Sequence, residues 1–277
     1  MKVGFIDYYL DEWHANEYPA MIRTQSGGRL EVAYAYGMIT SPISGKTTEE
    51  WCKEHGVEQC HTIEELIEKS DVLLVLSPDN CEMHEELSRL PLMSGKRTYI
   101  DKTFAPDAAC ARRIFAVAEA HNTPCYSTSA LRFAEEYQPL KGKQIQAAAF
   151  WGPNGAEIYS IHQLEPMMML MGGSVKRALA SVNGGWTNVL LEWADGRSAS
   201  MLCTGGDSPF TCNLKLEEGN RTVTVNSAFF DEFIKALIAF YETGEAPVSH
   251  EETINIMSAR QAAIKAIAQP GCWIDAE

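Results

Sequence analysis

Lys102 and His162 are the two side chains of this sequence with the strongest claim to proton chemistry. Lys102 falls in Arg97-Thr-Tyr-Ile-Asp-Lys-Thr-Phe-Ala-Pro106, a pattern that puts Asp101-Lys102 at the end of a strand. His162 follows sixty residues later in Tyr159-Ser-Ile-His-Gln-Leu-Glu165-Pro166, at the start of an apolar helix. A lysine can orient a hydroxyl and ease negative charge on its oxygen; a histidine titrating near neutrality can take the proton. Each also has a plainer reading, as a solvated lysine and as a capping or packing histidine. Glu165, one helical turn on, could hold the imidazole or simply favour the helix N-terminus. Tyr159 could line a pocket or fill the core. Arg132 could bridge domains or bind a substrate carboxylate.

Such side chains need element ends to hold them, and the hydrophobic pattern supplies these. Lys2 to Tyr8 reads as a buried strand and Asp11 to Arg23 as a helix, stopped by Gly27-Gly28. Leu30 to Ile39 is a second strand. Thr47-Thr-Glu-Glu50 opens a helix, and Thr62-Ile-Glu-Glu65 fits a capping box. Asp71 to Ser77 is the continuous apolar run of a strand buried on both faces. Arg97 to Asp101 and Pro124 to Ser127 follow as strands, with a helix from Pro106 to about Ala120 between them. This alternation predicts a Rossmann-like parallel sheet over residues 1–128. From residue 129 to 277 the rhythm changes to an α+β domain. Lys143 to Trp151, Val175 to Val182, Trp186 to Trp193 and Ser198 to Thr204 read as strands of a mostly antiparallel open sheet. Leu214 to Leu216 and Arg221 to Val225 continue it. His162 to Met171, Phe229 to Glu242 and Glu251 to Ala268 read as helices. The Met167-Met-Met-Leu-Met171 run suits packing, since methionine fills irregular gaps.

Composition narrows the function. The 277 residues exceed the ~150 of one usual domain, so two domains are expected. The 23 basic and 37 acidic residues, net −14, oppose nucleic acid or an anionic membrane as partner, because phosphate binding needs a basic face. No stretch approaches the ~18–20 apolar residues of a membrane span. Val3-Gly-Phe-Ile6, cut short by Asp7, reads as a strand and not as a signal peptide, which predicts a cytoplasmic protein. The eight cysteines are scattered without a CxxC pair, which predicts reduced thiols and no metal site.

Four segments, in order and on the expected elements, resemble the Gfo/Idh/MocA family of oxidoreductases across essentially the whole chain. Ser77-Pro-Asp-Asn-Cys-Glu-Met-His84 matches the family's strand-end Thr/Ser-Pro followed by histidine. Asp101-Lys102-Thr103 stands where the family has Glu-Lys-Pro. Tyr159-Ser-Ile-His162-Gln-Leu-Glu165 resembles the segment that holds the family's catalytic histidine. Arg132-Phe133 resembles an Arg-Phe at the domain junction. The resemblance implies hydride exchange between NAD or NADP and a sugar, a polyol or a related hydroxylated molecule. It implies Lys102 and His162 as catalytic residues, with His162 as general base. It places the cofactor against Asp7, Tyr8, Ser77, Pro78, Asn80 and Lys102, and the substrate against Arg132, Tyr159 and Glu165. His84 is read as structural. The resemblance also implies a homo-oligomer, a dimer or tetramer built on the face of the second sheet.

The sequence departs from the family at one telling place. A dinucleotide fingerprint needs glycines directly after the first strand, so that the pyrophosphate can approach the helix N-terminus. Asp7-Tyr-Tyr-Leu-Asp-Glu12 has none, and it carries three acids and two bulky rings. The second strand ends Tyr34-Ala-Tyr-Gly37, with no acid for an adenosine ribose. The family's proline after the lysine is Thr103. These features predict weak or absent NAD(H) and NADP(H) binding in the usual pose. They keep two alternatives open: a non-redox lyase or isomerase on the same scaffold, and a non-catalytic sensor or partner that lost the cofactor. Asp7, Asp11 and Glu12 could suit a metal or cationic ligand; the reading preferred is a degenerate loop beside a solvated helix start.

Overall fold

The computed structural model describes residues 1–277, which divide into two compact units. The first takes residues 1–105, 109–128 and 233–249; the second takes 106–108, 129–232 and 250–277. The chain passes from the first unit to the second at 128/129, while residues 106–108 fall in the second unit and 233–249 in the first.

The first unit is built on six parallel strands, β1 (Lys2–Asp7), β2 (Glu31–Gly37), β3 (Glu58–Gln59), β4 (Val72–Val75), β5 (Thr98–Ile100) and β6 (Cys125–Tyr126). Their order is β3-β2-β1-β4-β5-β6, the doubly wound Rossmann order, and β1, β4 and β5 are buried almost throughout. Five helices cross between strands: α1 (Trp13–Gln25), α2 (Thr48–His55), α3 (Ile63–Lys69), α4 (His84–Met93) and α5 (Ala108–Ala120). Local chemistry sets their ends. Thr47 and Glu50 form a reciprocal capping box on α2, and Gly56 ends that helix at φ 67°. The box expected at Thr62 is only half made. Thr62 accepts from Glu65 N at 3.1 Å, but the Glu65 carboxylate reaches one residue further back, to His61 N at 2.9 Å. Gly4 is needed for close packing: a Cβ there would meet Ser70 Oγ at 2.3 Å and Leu66 at 2.5 Å.

The second unit is a seven-stranded sheet, β7 (Ile145–Gly152), β8 (Val175–Asn183), β9 (Trp186–Trp193), β10 (Ser198–Cys203), β11 (Thr211–Leu216), β12 (Gly219–Thr224) and β13 (Ile274–Asp275). Its order is β12-β11-β7-β10-β9-β8-β13, antiparallel throughout except for the central β7/β10 pair. Helix α6 (Ala156–Met171) follows β7, and α7 (Phe229–Thr243) and α8 (His250–Ala268) close the chain. Helices α6 and α8 pack on one face of this sheet, over Phe150, Val189, Leu191, Met201 and Leu214, all buried. Strand alternation gives the opposite face a different row: Leu179, Leu190, Ser200, Ala149 and Asn213 lie side by side across five strands.

Helix α7 explains why residues 233–249 join the first unit. Phe233 packs against Tyr18 and Tyr99, with ring centroids 5.8 and 5.5 Å apart, and Phe240 against Tyr126 at 4.7 Å. The Tyr241 hydroxyl donates to Leu73 O on β4 at 2.8 Å, and Arg97 Nη1 donates to Tyr241 O at 2.6 Å. No helix of the chain is long and apolar enough to cross a membrane.

Candidate active site

In the first unit, Lys102 follows β5 and is 6% exposed, so it is not a solvated surface lysine. Its Nζ donates to Pro78 O at 3.1 Å, joining the loop after β5 to the loop after β4. Two residues around this bond have left-handed backbones, Ser77 at φ 80° and Thr103 at φ 55°. Neither is glycine, and a β-branched threonine there is strained, costing of order 1–3 kcal/mol. Proline could not take the Thr103 position, since its ring fixes φ near −65°. The Thr-for-Pro departure is thus a different course of the backbone and not a neutral exchange. Ser77 Oγ donates to Asn80 O at 3.0 Å, while the half-buried Asn80 side chain donates to Glu82 at 3.0 Å.

His84, fully buried, fastens the same two loops. Its Nε2 lies 2.6 Å from Leu76 O and its Nδ1 3.0 Å from Phe104 O. Burial holds its pKa below the usual histidine value, against a smaller upward pull from Asp101. It is a structural residue, as read from the sequence. Asp101 is buried as well, with Tyr99 donating to its Oδ1 at 3.2 Å and Ser127 Oγ to its backbone oxygen at 3.0 Å.

The β1–α1 turn differs most from expectation. Glu12 is 8% exposed, so the helix start is not solvated. Its carboxylate is the N-cap of α1: Oε1 accepts from Ala15 N, and Oε2 lies 2.8 Å from both His14 N and His14 Nδ1. Asp7 is 1% exposed, and neither of its carboxylate oxygens has a well-aligned hydrogen-bond partner. Burial first, then the negative field of Glu12, pushes the Asp7 carboxyl well above the ordinary carboxylate range; the Tyr8 and Tyr9 amides oppose this only in part. Tyr8 is half-buried and Tyr9 buried.

A nicotinamide dinucleotide is the cofactor that this fold implies. The residues at the turn do not fit its pyrophosphate. The first α1 amides, His14 N and Ala15 N, which would receive a phosphate, already bond the Glu12 carboxylate. At the tip of β2, where a ribose-binding acid would stand, is Gly37. Any Cβ there would meet Thr48 Oγ1 at 2.5 Å and Leu10 at 3.4 Å, so the place is already filled.

In the second unit, α6 begins at Ala156, a turn and a half earlier than the sequence reading of a helix from His162. Gly155 at its N-cap and the small Ala156 give no apolar stripe to mark the start. His162 therefore sits in the second turn. Pro166, four residues on, has no N–H to offer the His162 carbonyl. His162 Nδ1 lies 2.7 Å from Ser129 Oγ, and its ring stands edge-on to Tyr159, centroids 5.1 Å apart. Ser129, which also caps the 3-10 turn over Ala130–Phe133, is a partner of His162 that nothing in Ser127-Thr-Ser129 signals in the sequence. Arg132 is 4% exposed, with Nε 3.1 Å from Glu165 Oε2 and Nη2 bonded to Glu252. Arg132 and Glu165 thus form a buried ion pair, and Tyr159 is half-buried on the His162 face of α6. Five buried cysteines offer no thiolate: burial pushes Cys60 and Cys203 up to about 11 and Cys52, Cys125 and Cys212 to about 12.

No protein-family model and no curated protein matches the sequence. Solved structures do match the fold over its full length. A probable dehydrogenase from Thermotoga maritima superposes with a TM-score of 0.76 at 15% identity, covering 99% of this chain and 98% of that one. The apo scyllo-inositol dehydrogenase from Lactobacillus casei gives 0.76 at 15%, covering 99% and 97%. The WlbA dehydrogenase from Bordetella pertussis, solved with NADH and UDP-GlcNAcA, gives 0.78 at 13%, covering 100% and 98%. The chain shares the fold of these dehydrogenases.

Proposed function

We propose that this chain is an enzyme acting at a hydroxyl-bearing carbon of a small molecule, a sugar, a polyol or a relative, with proton transfer by Lys102 and His162. The observation that carries the reading is the setting of Lys102. A buried ammonium held on Pro78 O, between two strained left-handed residues, is an arrangement that packing alone does not call for. In this reading Lys102 orients the reacting hydroxyl and lowers the cost of charge on its oxygen. His162 takes the proton, with Ser129 fixing the ring through Nδ1. Tyr159 lies beside His162 on α6 and is assigned to substrate. Arg132 and Glu165 are assigned to holding that end of α6 rather than to gripping the ligand.

The shared fold of dehydrogenases supports an oxidoreductase, with NAD or NADP as the carrier. The Glu12 cap favours a second reading, a non-redox lyase or isomerase in which Lys102 and His162 work alone. The test is a screen of sugars, polyols and their keto and acid relatives, run with and without each dinucleotide. Nicotinamide absorbance and product mass are both followed. Product formed only with a dinucleotide supports the oxidoreductase; product formed without one supports the second reading. Absence of turnover across the screen would favour the non-catalytic alternative.

A further inference from the structure

We infer that the β1–α1 turn carries its own anion. The Glu12 carboxylate occupies the phosphate seat of the Rossmann unit, which is thereby closed to a dinucleotide laid across that turn.

A Rossmann turn binds pyrophosphate because the first amides of α1 point outward without partners and the helix dipole adds positive potential. Here those amides have a partner. Both Glu12 oxygens are used, Oε1 by Ala15 N and Oε2 by His14 N and the His14 ring. The bonds are charge-assisted and largely removed from water, since the Glu12 side chain is 5% exposed. A phosphate would have to expel a bonded carboxylate and then sit against it.

The rest of the turn closes around this cap. Met38 N and Ile39 N donate to Asp7 O at 3.0 Å and Tyr8 O at 2.9 Å, so the backbone after β1 stays bound to the extension of β2. Leu10, 2% exposed, packs against the tip of β2 beside Gly37. Glycine is therefore kept at the β2 tip to seat Leu10 and Thr48. The sequence feature that looks like a degenerate fingerprint is a packed and hydrogen-bonded structure with a different use for the helix N-terminus.

The inference deepens the proposed function by removing one pose of its carrier, and it stands or falls separately from Lys102 and His162. The experiment is calorimetric titration of the full chain with inorganic pyrophosphate, ADP-ribose and NADH. Glu12→Ser and Glu12→Asn keep a neutral cap; Glu12→Asp keeps the charge. Wild type and Glu12→Asp are expected to show no saturable binding up to millimolar ligand. The neutral variants should bind ADP-ribose at least about tenfold more tightly, since a unit charge is removed from a partly desolvated contact. Thermal melts confirm that each variant is folded; two neutral variants keep the test open if one is not. Micromolar ADP-ribose binding by wild type overturns the inference, and so does the lack of any gain in both folded neutral variants. Neither result touches the proton-transfer reading, which fails only if Lys102 and His162 prove dispensable for turnover.

Discussion

Asp7 gives the clearest prediction at the scale of the single residue. Its folded pKa is raised, so between the ordinary carboxylate value near 3.8 and the raised value the folded state holds a proton that the unfolded chain has lost. Stability contributed by this group is therefore present at low pH and lost as pH rises through that window. Asp7→Asn should raise the melting temperature at pH 7 by a few degrees or more, and the gain should vanish as pH falls toward 3.8; melts across pH check this. No gain at pH 7 would mean that Asp7 is ionised and matched by a partner. Ser129 yields a second prediction. Ser129→Ala should lower kcat/KM by roughly tenfold, the loss of one bond that fixes the proton-accepting ring, and shift the acidic limb of the pH–rate profile. A merely structural serine would leave that limb in place. Lys102 and His162 stand out in the sequence because strand ends and a motif flag them. Ser129 and the cap at Glu12 do not, since a serine in a loop and an acid near a helix start are commonplace and only three-dimensional proximity gives them meaning.

At the scale of the element, the loops after β4 and β5 are the parts under strain. Thr103→Pro should lower the melting temperature by several degrees, because φ near −65° cannot replace the observed 55° without moving Lys102. Thr103→Gly should keep or raise stability, since glycine takes positive φ freely. If proline were tolerated and glycine harmful, the left-handed backbone at residue 103 would be wrong. The strands and helices of the first unit were readable from their buried apolar runs and Thr-x-x-Glu starts. The start of α6 was not, because Gly155 and Ala156 carry neither a side-chain cap nor an apolar stripe. The two-residue strands β3 and β13 were missed for a related reason: each is too short to show an alternation. The attachment of α7 to the first unit was also illegible, since it depends on Phe233 and Phe240 meeting Tyr18, Tyr99 and Tyr126, which are far from them in sequence.

At the scale of the whole molecule, the second sheet has helices on one face only. We propose that a second copy of this chain covers the other, where Leu179, Leu190 and Ala149 share a row and Trp186 stands 57% exposed near Trp151 and Leu202. Light scattering should give a multiple of 30.7 kDa, and Leu190→Lys should shift it toward the monomer. A monomer at micromolar wild-type concentration would remove the idea. The division of the chain into a Rossmann unit and an open-sheet unit was readable from the change of rhythm near residue 129. Its proposed chemistry comes down to Lys102 and His162, and no substrate was readable, because a substrate is recognised by surfaces that no linear pattern displays. The account as a whole rests on those two residues carrying proton transfer, and one rate tests it most directly. It is the single-turnover rate of Lys102→Met beside wild type, on the first substrate that the screen identifies. The account predicts a folded protein and a loss of roughly 100–10,000-fold. A folded Lys102→Met that turns over at near the wild-type rate would contradict it.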